Sequence, residues 1–384
     1  MRILIIHNKY GVYSGEEAVV ESHIAVLKKH GHDVCCYTRS SGELESMRYG
    51  KVVAFFSAFY NPGSARKIES LLKEFQPDVV HIHNLYPLIS PAVLPVIRKA
   101  GVPVVMTVHN YRLLCPNGLF YNRLGICEAC AGGKEWYCIR YDCEGSMMKS
   151  FGYAMRNVWV RRFGLYTQYV NAFLCLTDFQ RGKLIENGFP SERCRVLPNF
   201  LASVTSSIHL SDAERKVFLF LGRLNRQKGV DILLKAAAMC PDIPFYLAGV
   251  PDSSLIDTNV LPSNVRWLGV ISGEETARAF GQALALVFTS RSYEGFPMVF
   301  LEAMQHSVPV IAPRLAGIPE IIRDGYNGWL FTSEDVDDLV KRIKMVHEHP
   351  EIAVICGRNG SQLFEKEYGC DVWYGEYLKI ADGM

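Results

Sequence analysis

Two short stretches of this 384-residue chain carry side chains whose types and spacing suit chemistry on an anion and a polyol. In GRLNRQKG, Gly222 permits a tight backbone turn at a strand end, while Arg223 and Lys228 present two cations able to neutralise a leaving diphosphate. Taken alone, the same loop reads as a solvated basic turn. The second stretch, SRSYEGFPMVFLEAM, places Glu294 before a helix and Glu302 inside it. Pro297 suits a first helical turn, Gly295 leaves the backbone open to approach, and the helix start they form attracts anions. Carboxylates at the two positions can accept hydrogen bonds from sugar hydroxyls, one from a transferred sugar and the other from a ribose. Glu302 also reads as a helix-surface residue, but LEAM lies in an apolar stretch that would bury it.

Further candidates lie in the first half. His109 ends the run VPVVMTVHN and, alone, reads as a strand-end histidine satisfied by backbone. Directly after it, CPNGLFYNRLGICEACAGGKEWYCIRYDCEG holds Cys127 and Cys130 as C-x2-C, with Cys138 and Cys143 as a second pair. Four thiolates in a glycine-rich loop suit a tetrahedral structural zinc. The short gap between the pairs and a fifth thiol, Cys115, favour the competing reading of reduced, metal-free cysteines. The segment SMMKSFGYAMRNVWVRRFG puts Met147, Phe151, Met155, Val158 and Trp159 on one helical face, with Lys149, Arg156, Arg161 and Arg162 adding charge. Such a helix either docks on an anionic membrane carrying a lipid-linked acceptor or packs on its own domain. Asp335 and Asp337 form a D-x-D string after Ser333, read as charge at a helix start rather than as metal ligands.

These residues need a scaffold, and the chain's periodicity supplies one. Runs such as ILII, DVCCYT, DVVHIH and VPVVMTV, then VFLFLG, PFYLAG, ALVFTS and VPVIA, alternate with helix-like stretches. That order predicts βαβ units with parallel, buried strands, an α/β fold. The pattern restarts after residue 200, and VLPNFLASVTSSIHLSDAERK reads as a linker near residues 198–215. The expected organisation is a first domain over 1–198 with a cysteine-rich insert at 115–145, and a second over 199–365. A terminal helix over 366–384 would pack back toward the first, through the helical spacing of Phe364, Tyr368, Trp373 and Tyr377. Two sheets facing each other would leave a cleft lined by loops at the carboxyl ends of the strands. With 41 basic and 39 acidic side chains the net charge is only +2, which excludes a global field for nucleic acid. The start MRILIIHNKYG reads as a buried strand rather than a signal peptide, and no apolar run approaches the roughly 18 residues of a membrane span. The expected location is the cytoplasm, at most peripheral on the inner face of a membrane. Twelve cysteines in that setting are reduced thiols or metal ligands rather than disulfides.

In order and spacing, GRLNRQKGVDILLKA, VRWLGVIS, SRSYEGFPMVFLEAM and PVIAPRLAGIPEIIRDGYNGWLF resemble the donor domain of glycosyltransferase family 4, the group 1 glycosyltransferases. YSGEE, TVHN and VLPNF resemble its acceptor domain. The resemblance implies GT-B, two Rossmann-like doubly wound domains facing each other across a cleft. It implies that Arg223 and Lys228 bind the diphosphate, Glu294 the donor sugar, Glu302 the ribose, and amides around Gly295, Phe296 and Pro297 the sugar and phosphate. His109 would face the transferred sugar, and Gly15 would approach the phosphates. Ser14 departs from the family's usual glycine, and Asn110 from its common aspartate. The implied activity is retaining transfer of a sugar from a nucleoside-diphosphate sugar to a glycan or lipid-linked acceptor, without a catalytic metal. A hexosyl transfer in polysaccharide or glycoconjugate biosynthesis is the expected role. The alternatives are an epimerase or phosphorylase of the same fold, which would turn over donor without acceptor or need inorganic phosphate, and a non-catalytic nucleotide-sugar-binding module.

Overall fold

The computed structural model describes residues 1–11, 13–202 and 215–384; positions 203–214, most of the expected linker, lie outside the described residues. The chain divides into two units, Met1–Phe200 with Cys370–Met384, and Leu201–Gly369. The first unit opens with β1 (Arg2–Lys9), α1 (Gly15–Lys29), β2 (Asp33–Ser40), α2 (Gly50–Phe59), α3 (Pro62–Phe75), β3 (Val79–Asn84), α4 (Leu94–Lys99) and β4 (Val104–Val108). The cysteine-rich insert follows as β5 (Tyr121–Asn122), β6 (Gly125–Ile126) and α5 (Trp136–Arg140). Then come α6 (Met147–Arg162), α7 (Leu165–Tyr169), β7 (Ala172–Cys175), α8 (Asp178–Glu186) and β8 (Cys194–Val196). Its main sheet runs β2-β1-β3-β4-β7-β8, every neighbouring pair parallel.

The second unit contains β9 (Val217–Leu221), α9 (Val230–Ala238), β10 (Phe245–Ala248), β11 (Val265–Trp267), α10 (Glu274–Gln282), β12 (Ala283–Val287) and α11 (Met298–Gln305). β13 (Val310–Pro313), α12 (Ile318–Ile321), β14 (Gly328–Phe331), α13 (Val336–Glu348) and α14 (Pro350–Glu367) complete it. Its sheet is also parallel throughout, in the order β11-β10-β9-β12-β13-β14. In both sheets the order reverses once, beside the first strand, which leaves an opening at the strands' carboxyl ends between β1 and β3 and between β9 and β12.

Runs of consecutive apolar residues explain why the central strands are buried along their length. Ile3 and Ile5 of β1, Val79 of β3, Val105 of β4 and Leu174 of β7 pack under Val20, Val26 and Leu27 of α1. The same layer takes Trp373, Tyr377 and Ala381 from α15 (Cys370–Asp382), the element that returns to the first unit. The expected single face of Phe364, Tyr368, Trp373 and Tyr377 is divided. Phe364 lies in the last turn of the second unit's α14 and Tyr368 is that helix's C-cap residue, whereas Trp373 and Tyr377 lie on α15. The second core gathers Phe218 and Phe220 of β9, Phe245 and Leu247 of β10, Trp329 and Phe331 of β14, and Leu339 and Ile343 of α13. Asp335 caps α13 by accepting from the Asp338 amide at 2.9 Å, and Asp337 sits in its first turn. Among the described residues no helix is long and apolar enough to cross a membrane.

Candidate functional site

Two loops flank the opening between β9 and β12, and the sequence binds them together. The Thr289 hydroxyl donates to the carbonyls of Lys228 and Gly229, both at 2.9 Å. The Arg291 amide donates to the Gln227 carbonyl at 2.9 Å, and the Gln227 side chain donates to the Ser292 hydroxyl at 2.9 Å. The Arg291 guanidinium grips the Asp231 carboxylate of α9 at 2.8 Å and the Arg226 carbonyl at 2.9 Å. Gly229, at φ 69°, would place a Cβ 2.0 Å from the Thr289 carbonyl oxygen, so a side chain there would force the loops apart. This stitching unites the two chemistry-bearing stretches.

Lys228 Nζ lies 2.7 Å from Glu294 Oε1, which also accepts from the Ser290 hydroxyl at 2.6 Å. The ion pair is largely buried, with side-chain exposures of 19% and 15%. It therefore fixes both groups more firmly than a surface pair would. Immediately after it, α11 starts behind Pro297 with no side-chain cap. Proline has no N–H, so Pro297 itself cannot cradle a ligand; the amides at this start are those of Gly295, Phe296, Met298 and Val299.

A cavity of about 730 Å³ opens within the second unit, lined among others by Gly222, Arg223, Gly249, Glu274, Glu302 and His306. The volume suits a nucleotide-sized ligand. Gly249, at φ 138°, would bring a Cβ to 1.9 Å from the Gly222 carbonyl oxygen, which is how the ends of β9 and β10 come so close. Glu302 projects into this cavity from α11, and burial holds its carboxyl above the ordinary value. Arg223 lines the same cavity and is exposed, whereas Lys228 and Glu294 lie outside its lining.

The first unit carries the remaining expected residues. His109 follows β4, its Nε2 2.8 Å from His83 Nδ1, and burial lowers its pKa to about 3, so the ring is a neutral imidazole near pH 7. Gly15 opens α1 with free space where a Cβ would stand. Ser14 is the N-cap of that helix, its amide donating to Glu17 at 2.7 Å, and the Asn110 side chain accepts from the Arg112 amide at 3.0 Å. Beside them Glu16 is pushed up to about 7 by burial and accepts from the Tyr10 hydroxyl at 3.1 Å. His7, lowered to about 4 by burial, stands 3.8 Å from Glu16. Between about pH 4 and 7 this is a contact of two neutral groups, not an ion pair.

Of the four cysteines expected to cage zinc, Cys130, Cys138 and Cys143 pack together. Among the described residues, no three of their sulfurs come within 4.8 Å of one another. Cys130 and Cys138 instead pack with Ala154 in an apolar cluster. Cys138 shares a thiol hydrogen bond with Cys143 that raises the first and lowers the second. Sequence reasoning also passes over Ser290, Arg291 and Gly249, and over four buried histidines, His7, His23, His81 and His83. For His81 and His83 the signal is present in DVVHIH, where alternate positions of a strand face one way.

A model of glycosyl transferases group 1 matches residues 204–363, and one of Glycosyltransferase Family 4 matches residues 13–202. An uncharacterized glycosyltransferase of Methanocaldococcus jannaschii is 29% identical over 278 residues, 71% of this chain and 73% of that one. The sulfoquinovosyl transferase SQD2 of Arabidopsis thaliana is 22% identical over 410 aligned residues, covering 97% of this chain and 74% of its own. Among solved structures, sucrose-phosphate synthase from Thermosynechococcus elongatus superposes with a TM-score of 0.74 at 17% identity, covering 100% of this chain and 98% of that one. Anabaena HepE in complex with UDP gives 0.67 at 17% identity, with both chains fully covered. The two parallel sheets, the loops at their reversals and these matches together place the chain in family 4 of the glycosyltransferases, group 1, with the GT-B fold.

Proposed function

We propose that the chain is a retaining enzyme that moves a sugar, a hexosyl group, from a nucleoside-diphosphate sugar to a glycan or lipid-linked acceptor in polysaccharide or glycoconjugate assembly. The second unit serves the donor and the first the acceptor. One observation carries the reading: the loop with Lys228 is stitched to the loop with Glu294 in front of an uncapped helix, beside a cavity that holds Arg223 and a half-buried Glu302. Those groups supply cations and amides for a diphosphate and carboxylates for hydroxyls. HepE, described with UDP and with UDP-glucose, makes a uridine diphosphate sugar the first donor to try.

In the reaction so read, the acceptor oxygen bonds to the anomeric carbon from the face that the leaving group vacates. The bond from that carbon to the diphosphate breaks, its electron pair departs with the diphosphate, and the acceptor's proton passes to the departing oxygen. Arg223, Lys228 and the α11 amides meet the charge that develops on the leaving group. Glu294 accepts from the sugar hydroxyls, Glu302 from the ribose, and Gly15 leaves room near the phosphates. Neutral His109 faces the sugar as a hydrogen-bonding wall. With two cations in place, no divalent ion is required for the chemical step.

The acceptor side has a second feature. On α6, Met147, Met148, Phe151 and Met155 are exposed, while Arg156 and Asn157 are buried. Val52 and Phe56 of α2 are exposed too, and Phe55 of that helix packs against Gly152 of α6. Arg48, Lys51 and Lys149 are exposed nearby in the sequence. This surface suits peripheral contact with an anionic membrane bearing a lipid-linked acceptor.

The test is a panel of nucleoside-diphosphate sugars read by thermal stabilisation and by donor turnover with and without acceptor, in EDTA. One donor should stabilise the protein, and Glu294→Ala should cut transfer at least a hundredfold while the melting curve stays cooperative. Turnover that needs inorganic phosphate, or activity restored only by a divalent ion, would overturn it.

A further inference from the structure

The face of the first sheet under α1 and α15 is apolar near the strands' beginnings and turns to histidine toward their ends. On β1 the inward positions are Ile3, Ile5 and then His7; on β3 they are Val79, His81 and His83. His23 of α1 lies over them, with ring centroids 5.8 Å from His81 and 5.3 Å from His83. Trp373 covers His23 at 4.1 Å, and Tyr377 stacks on His81 at 5.3 Å. His23, His81 and His83 are each at most 3% exposed.

Their hydrogen bonds are incomplete in a patterned way. His81 Nε2 meets the Thr107 hydroxyl at 2.8 Å, and His83 Nδ1 meets His109 Nε2 at 2.8 Å. His81 Nδ1, His83 Nε2 and both ring nitrogens of His23 have no partner. Burying an unsatisfied polar atom is costly, so four of them in one buried layer call for an occupant. One ring nitrogen from each of the three histidines lies within 4.8 Å of the other two.

We propose that His23, His81 and His83 form a buried site for one first-row transition metal ion of the zinc class. Three imidazoles are a ligand set that zinc uses, with the fourth position left to water, and an all-nitrogen set disfavours magnesium and calcium. The occupied nitrogens complete the pattern, since metal-bound histidines characteristically use the other ring nitrogen to hold a neighbouring oxygen or nitrogen. A metal on His83 Nε2 leaves the proton on Nδ1, which then donates to His109 Nε2 and fixes His109 as the Nδ1–H tautomer. The ion is thus a structural element that sets the tautomer of a site residue, and its presence does not depend on the transfer reaction proposed above.

The full chain, expressed with zinc in the medium and purified under reducing conditions, should contain about one equivalent of metal by elemental analysis. Stripped with a chelator at mildly acidic pH and reloaded with Co²⁺, it should show the visible bands of a four-coordinate ion without thiolate-to-cobalt charge transfer. Cys130→Ser should keep that spectrum, His83→Gln should lose it, and Thr107→Val should weaken Co²⁺ binding roughly tenfold through the freed His81 ring. No metal uptake by the folded wild-type protein overturns the site, as does a thiolate spectrum, which would move the ion to the cysteines. Because the wild-type spectrum separates imidazole from thiolate, the test stands even where a variant fails to fold.

Discussion

Glu302 and Glu294 lie eight residues apart in sequence yet face different surroundings, Glu302 the cavity and Glu294 the Lys228 ammonium. Burial raises the Glu302 pKa, so the folded protein holds that proton more tightly than the unfolded chain does. The empty protein should therefore lose stability as pH rises through that raised pKa. Donor binding, which needs the carboxylate as acceptor, should gain over the same interval. Melting temperature and donor affinity measured against pH should show these opposite slopes in the wild type and neither in Glu302→Gln; parallel curves for the two proteins would remove Glu302 from the ribose. The residues visible in sequence were those whose type is out of place in its context, such as a carboxylate in LEAM or paired cations at a strand end. Arg291 and the histidine layer escaped because their partners lie on strands and helices distant in sequence: Arg291 meets Asp231, and His83 meets His109.

At the scale of elements, strand ends and helix starts do the positioning, and glycine is the residue that lets them touch. Gly249→Ala would set a methyl against the Gly222 carbonyl in a backbone conformation that disfavours any side chain. It should cost roughly 2–4 kcal/mol, read as a lower urea midpoint, with weaker donor binding because the cavity wall moves. Helices α2 and α6 expose apolar side chains that ordinary packing would bury, and flotation with anionic vesicles should recover the protein. Phe56→Ser with Phe151→Ser should abolish recovery, whereas retention on neutral vesicles alone would deny the basic residues a part. The alternation of strands and helices was legible because buried parallel strands are continuous apolar runs. The face of α6 was not, since the spacing of Met147, Phe151 and Met155 is the same whether the stripe points inward or out.

For the whole molecule, the return of α15 to the first unit matters most. Trp373, Tyr377 and Ala381 complete a core whose other members precede residue 201. A chain ending at Gly369 should lose several kcal/mol from the first unit, by analogy with the ~3–5 kcal/mol of a single buried aromatic truncation. Hydrogen exchange should show amides of β1 and β3 deprotected while those of β9 and β12 keep their rates; equal protection in both would contradict the layer's dependence on α15. The same connectivity reverses the order of translation. The first unit's strands leave the ribosome before those of the second, but the helix that covers them is made only after every strand of the second sheet. Until then Trp373 and Tyr377 cannot cover His23, His81 and His83, so a metal ion should reach these rings faster during synthesis than in the folded protein.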